Sequence, residues 1–248
     1  MAFSCAACLA QEVDPSKRAG LLAGANSVYY NMREAGLKSF HCNVDVDWQA
    51  MLAMGTAKKV AEDDPYLRYL RSARISITTD LVAKPRIDWA NVGTPPEGKE
   101  KEAQNLSGGV RSMLEGFLAS WTPSLNGTLI NQKPKSMEAS GKGYVVRAAD
   151  GDSEVLDKNL HLIHTSTTTA DLRAEMDTDF IKSPEGLLLT RLDGTYQQPP
   201  SAPGSHVIMT VSYQLSDGFH LPEKFTLTVQ NVAAVSMNFT ACIVQKQR

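Results

Sequence analysis

The feature that most narrows the fold is the stretch after Lys142, where strand-like segments follow one another with turn residues between them. Asp150-Gly151, Pro184-Glu185-Gly186, Asp193-Gly194 and Asp217-Gly218 punctuate it as turns, and Gln198–Gly204 forms a longer loop. The last segments alternate: Phe225, Leu227 and Val229 against Thr226, Thr228 and Gln230, then Val235, Met237 and Phe239 against Ser236, Asn238 and Thr240. Short connections join antiparallel strands, whereas parallel strands need a crossover of about a dozen residues or more. A doubly wound α/β fold is therefore excluded.

The first half supplies the helices. Asp14 is an N-cap with Pro15 in the first turn, and Leu21, Ala25, Val28, Tyr29 and Met32 mark one face of a helix expected to reach about Ala35. Phe40 to Trp48 then alternates apolar and polar without a fault, the pattern of an antiparallel strand with one wet face. Gln49–Ser72 reads as a short helical region restarted at Asp64-Pro65, and Arg74–Leu81 and Arg86–Trp89 read as strands. From Glu100 to Trp121 runs the longest amphipathic helix, with Leu106, Val110, Met113, Leu114, Phe117, Leu118 and Trp121 on one stripe and Pro123 expected to end it. Gly108 and Gly109 weaken its middle by about 1 kcal/mol each relative to Ala, so tertiary packing has to hold it.

These elements predict an α+β fold in which a single strongly curved antiparallel sheet, a half-open β-barrel, wraps around about three helices. Residues 13–248 form one domain in this reading. Residues 1–12 are either a signal-peptide remnant or a flexible start: Met1–Ala10 is small and apolar but lacks a charged n-region and a full apolar core.

Charge excludes one large class. With 25 Lys plus Arg against 27 Asp plus Glu and no long basic run, the chain lacks the footprint of a nucleic-acid binder. No run approaches the ~20 apolar residues of a spanning helix, so the chain is not expected to span a membrane.

Four cysteines are present. Cys5 and Cys8 form a Cys-x-x-Cys pair, but without a second pair or a βαβ setting neither metal nor redox chemistry follows. Cys42 and Cys242 could be joined in an exported protein. Strict alternation places Cys42 with Phe40 and Val44, and Cys242 with Asn238 and Thr240, on opposite faces. A cross-strand disulfide needs both Cβ atoms on one side, so two unpaired thiols are expected.

No constellation of residues supports catalysis. His161 and His164 are three apart in a strand-like segment, a poor metal chelate. Gly-x-Ser-x-Gly and phosphate-loop motifs are missing. Asp45/Asp47 and Asp177/Asp179 read as solvated strand faces rather than acid–base pairs. No catalytic residue, metal or cofactor is therefore expected.

The segments Met209–Leu215, Asp217-Gly-Phe-His-Leu-Pro222, Glu223–Val229 and Val235–Ile243 resemble the closing meander of outer-membrane lipoprotein-sorting proteins, the group of the carrier LolA and the LppX/LprG lipoproteins. The shared cue is Asp-Gly-x-x-Leu-Pro between two alternating strands, over about the last sixth of the chain. The upstream order of helix, strand, inserted helices and meander is similar too; the Glu100–Trp121 helix and the Gln198–Gly204 loop are departures.

The resemblance implies a half-open barrel whose concave face receives acyl chains, in an exported, periplasmic or cell-envelope protein of a bacterium. It supplies no contact residue, so the lining comes from alternation: Phe40, Val44, Val46, Trp48, Val211, Tyr213, Leu215, Phe225, Leu227, Val229, Met237 and Phe239. The expected function is a non-enzymatic carrier or binder of lipid or lipoprotein acyl chains. Two alternatives stand beside it: an envelope interaction module whose helices fill the concavity, with envelope proteins as partners, and a hydrolase using His161 or His164 with a nearby Asp.

Overall fold

The computed structural model describes residues 11–56, 60–80, 85–90, 93–125, 130–131, 133–230 and 234–247. The leader-like segment with Cys5 and Cys8, and Leu81 of the expected Arg74–Leu81 strand, lie outside the described residues. The described chain is mostly antiparallel sheet with four helices, an α+β fold. It divides into two compact units, neither contiguous in sequence. Unit 1 draws on 11–30 and 130–206, and unit 2 on 31–125 and 207–247.

In unit 1 the strands are β1 (Gln11–Glu12), β5 (Ser136–Ser140), β6 (Gly143–Arg147), β7 (Ser153–Asp157), β8 (Leu162–Thr168), β9 (Arg173–Ser183) and β10 (Gly186–Gln197), paired in the order β1-β5-β6-β7-β8-β9-β10. Its helix α1 (Pro15–Ser27) starts where expected, the Asp14 carboxylate accepting from the Ser16 N–H. Leu22 and Ala25 of α1, with Tyr29 just beyond it, pack on Met137, Val146, Leu156 and Leu162.

The helix ends at Ser27, not near Ala35. Asn26 and Ser27 bond back to the carbonyls of Leu22 and Gly24. Asn26 also exchanges two hydrogen bonds with the backbone of Ile130, both 3.2 Å, as a strand partner would. Tyr29 then forms a parallel bridge with Leu187. Its hydroxyl accepts from the buried Leu162 N–H at 2.5 Å. Burial raises that hydroxyl to about 12, against a smaller opposite pull from the Leu162 bond.

Asp193-Gly194 is a second departure: it lies inside β10 rather than in a turn. A Cβ on Gly194 would stand 1.8 Å from the Glu175 carbonyl oxygen, so the glycine marks a close strand approach.

In unit 2 the order is β11-β12-β13-β2-β3-β4, with β2 (Leu37–Val46), β3 (Arg74–Thr79), β4 (Arg86–Ala90), β11 (Ser205–Ser216, entering from unit 1), β12 (Phe219–Val229) and β13 (Val235–Lys246). The β11–β12 turn is Asp217-Gly218 as expected, both residues at positive φ. Helices α2 (Trp48–Thr56), α3 (Pro65–Arg71) and α4 (Glu100–Leu125) belong to this unit. Asp64 caps α3 through Tyr66 and Leu67. The long helix runs past its expected stop, with Pro123 inside its last turn, two residues before its end.

Cys42 and Cys242 are joined by a disulfide, Cα to Cα 4.1 Å, which corrects the expectation of free thiols. The register explains it. Thr240 pairs with Asn43 and Ile243 with His41, so Ala241 and Cys242 together oppose Cys42. Ala241 adopts φ 47°, and the extra residue turns Cys242 onto the face of Cys42. Alternation failed here because a β-bulge resets it.

Candidate functional site

The apolar face of the unit 2 sheet is built row by row. Val211 stands opposite Phe225, Phe225 opposite Met237 and Met237 opposite Val46, so these four share one face across β11, β12, β13 and β2. A neighbouring row runs Phe239, Val44 and Ile75. Met209, Leu227 and Val235 form a third. Alternation and register together thus assemble most of the expected lining into one continuous wall.

Helix α4 closes that wall. Ala103, Val110, Leu114, Phe117, Leu118 and Trp121 of its stripe are buried. The Phe117 ring stacks on Phe225 at 4.5 Å and meets Phe239 at 5.7 Å. Trp121 stacks on Phe117 and stands edge-on to Phe40 at 6.1 Å. Its indole N–H donates to the Tyr213 hydroxyl at 2.9 Å, giving the one polar atom of that ring a partner. Burial pushes the Tyr213 hydroxyl well up from its ordinary value, opposed by the Trp121 bond.

The expected lining residues do not all behave alike. Phe40, Val44, Val211, Phe225, Met237 and Phe239 are buried, and Val46, Tyr213, Leu227 and Val229 are half-buried. Trp48 is buried but belongs to α2, because the Asp47 carboxylate accepts from Ala50 N–H and starts the helix one residue before it. There Trp48 meets Trp89 edge-on at 6.0 Å.

Leu215 is no wall residue: it is 68 % exposed. Glu223 is an extra residue in β12, between the pairs Ser212–Lys224 and Tyr213–Pro222. Beyond that bulge the buried Leu221 and Phe219 stand opposite Gln214 and Ser216, while Leu215, opposite His220, is exposed. The half-buried Gln214 amide donates to the carbonyls of Pro222 and Phe239, tying β11 to β12 and β13 beside the bulge.

The histidines considered for hydrolysis separate. His161 precedes β8 and its backbone N–H donates to Asp157. His164 stands on β8 directly opposite Asp177 of β9. Its Nδ1 is 2.8 Å from an Asp177 oxygen and its Nε2 is 3.1 Å from Glu175, whose other oxygen accepts from the Ser166 hydroxyl. Both ring nitrogens are therefore occupied by carboxylates, which leaves no free lone pair to deprotonate Ser166. Sequence reasoning saw Asp177 and His164 but missed Glu175, because only the β8–β9 register brings the three together. Among the described residues, no group of three His, Cys, Asp or Glu side chains is placed to hold a metal ion. No described helix is long and apolar enough to cross a membrane.

No protein-family model, curated protein or solved structure matches this chain.

Proposed function

We propose that the protein is a non-enzymatic binder of a lipid or lipoprotein acyl chain, acting in an oxidising compartment such as the bacterial periplasm or cell envelope. The observation that carries this reading is the continuous apolar wall of β2, β11, β12 and β13, covered by the single apolar stripe of α4. In this reading the sheet is the cup of a half-open barrel, as the resemblance of the closing meander implies. The guest takes its place on the wall by displacing part of α4.

Magnitudes make the exchange feasible. A 16-carbon chain gains about 12 kcal/mol on full burial, at ~0.8 kcal/mol per CH2. The five large buried side chains of α4 are worth roughly 8–15 kcal/mol on the same scale. The helix is also held loosely by its own backbone: Gly108 and Gly116 have open space where a Cβ would stand, so no steric need explains them. The Cys42–Cys242 disulfide supports an oxidising compartment.

A second reading, an envelope interaction module with a filled core, is favoured by one observation. Phe40, Phe225, Phe239 and Trp121 are at most 2 % exposed, and the rings of α4 touch the wall. Native mass spectrometry of the oxidised protein, with titration of a fluorescent fatty acid, decides between the two. The carrier reading expects a co-purified acyl lipid or saturable uptake, abolished in Phe225→Asp if that variant folds. A folded wild-type protein with neither bound lipid nor uptake overturns it and leaves the interaction module.

A further inference from the structure

We propose that His164, gripped from two sides by Asp177 and Glu175, is a proton-operated clasp that ties β8 to β9 on the outer face of unit 1 and releases as the solvent turns alkaline.

The chemistry of the imidazole carries the argument. A neutral ring has one N–H and one lone pair, so it can donate to only one of two acceptors. Here an ionised carboxylate stands at each nitrogen, at 2.8 and 3.1 Å. In the neutral ring one nitrogen lone pair would face a carboxylate oxygen at that distance, which is repulsive. Only the imidazolium satisfies both contacts.

The surroundings agree. On β9, Arg173 reaches Glu175 only at 3.5 Å, and Ser166 on β8 itself orients the same carboxylate. On β7 the residue opposite His164 is the uncharged Val155, while Glu154 pairs with Thr165 and Val146 on the other face. On β10, Asp193 stands opposite Asp177 and shares its charge with Arg191 and His206. Two aspartates directly opposite one another repel, and each has a histidine to offset it.

Partial burial opposes the charge on His164, but the bonds and attraction from Asp177 and Glu175 outweigh it and raise its titration above the ordinary 6.5. For Glu175 burial also opposes the charge, and the His164 and Ser166 bonds outweigh it, lowering its titration below 4.5. The sign follows for each. The histidine contributes stability in full below 6.5 and loses it as pH rises through the raised folded value. The glutamate contributes above 4.5 and loses it as pH falls through its lowered folded value. The clasp is therefore fully closed in mildly acidic solution.

The test is made on the full oxidised chain. NMR of the His164 ring should give a titration midpoint above 6.5, lowered in Glu175→Gln. Amide exchange in β8 and β9, corrected for the intrinsic pH effect, should rise roughly two- to ten-fold between mildly acidic and mildly alkaline solution. His164→Gln should remove that step. A wild-type midpoint at or below 6.5 overturns the proposal, even if the variant fails to fold. So does a step that persists in a folded His164→Gln protein.

Discussion

The two units answer the same problem, a helix laid on an antiparallel sheet, with different materials. Unit 2 uses a stack of aromatic rings, Phe117, Trp121, Phe225 and Phe239 with Phe40 at the edge, and a covalent bond between β2 and β13. Unit 1 uses smaller aliphatic contacts, Leu22 and Ala25 on Met137, Val146, Leu156 and Leu162, finished by one buried hydrogen bond from Leu162 to Tyr29. Rings supply area at small entropic cost; a buried polar contact supplies direction and is costly to leave half made. Unit 2 is thus held by bulk and covalency, and unit 1 by aim.

The sharpest way to break the comparison is to open the disulfide. A bridge between residues 200 apart restrains the unfolded chain by about 5 kcal/mol in the chain-entropy picture. Reduction, or Cys42→Ala with Cys242→Ala, should lower the unfolding free energy from denaturant melting by that order, with amide exchange rising first in β2 and β13. An equal rise in β7 and β8 would show that the units do not melt separately. Trp121→Ala should come next, at about 3–5 kcal/mol, because it empties a fully buried site and removes the hydrogen bond to Tyr213. Smallest is Tyr29→Phe in unit 1. It keeps the ring against Phe180 but leaves the Leu162 N–H unpaired, at about 1–3 kcal/mol by urea melting. A loss matching that of Trp121→Ala would erase the proposed contrast.

What could be read from the sequence was periodic or chemically marked. The Asp14-Pro15 start of α1, the α4 stripe and the apolar side of each strand carrying Val211, Phe225, Met237 and Val46 follow from spacing, while the register that joins these four in one row does not. The clearest miss lies at a bulge. At Ala241 and Glu223 an extra residue resets the alternation, and neither carries the glycine signal that marks many bulges. Cys242, just beyond Ala241, was assigned to the wrong face, whereas Leu215 lies on β11, which has no extra residue, and is exposed one residue before that strand ends. The end of α1 was misplaced because Tyr29 sits at helical spacing yet is drawn into a bridge with Leu187, 158 positions along the chain. The grouping of His164 with Glu175 was hidden for a similar reason: it depends on a pairing register that residue types alone do not set.

The cystine also dictates an order of events during synthesis. Cys42 leaves the ribosome 200 residues ahead of Cys242, so its thiol waits, unmated, while β5 to β10 of unit 1 are made. Strand β2 stays without its neighbour β13 for the same interval. The bond is therefore a seal set only when the last strand arrives.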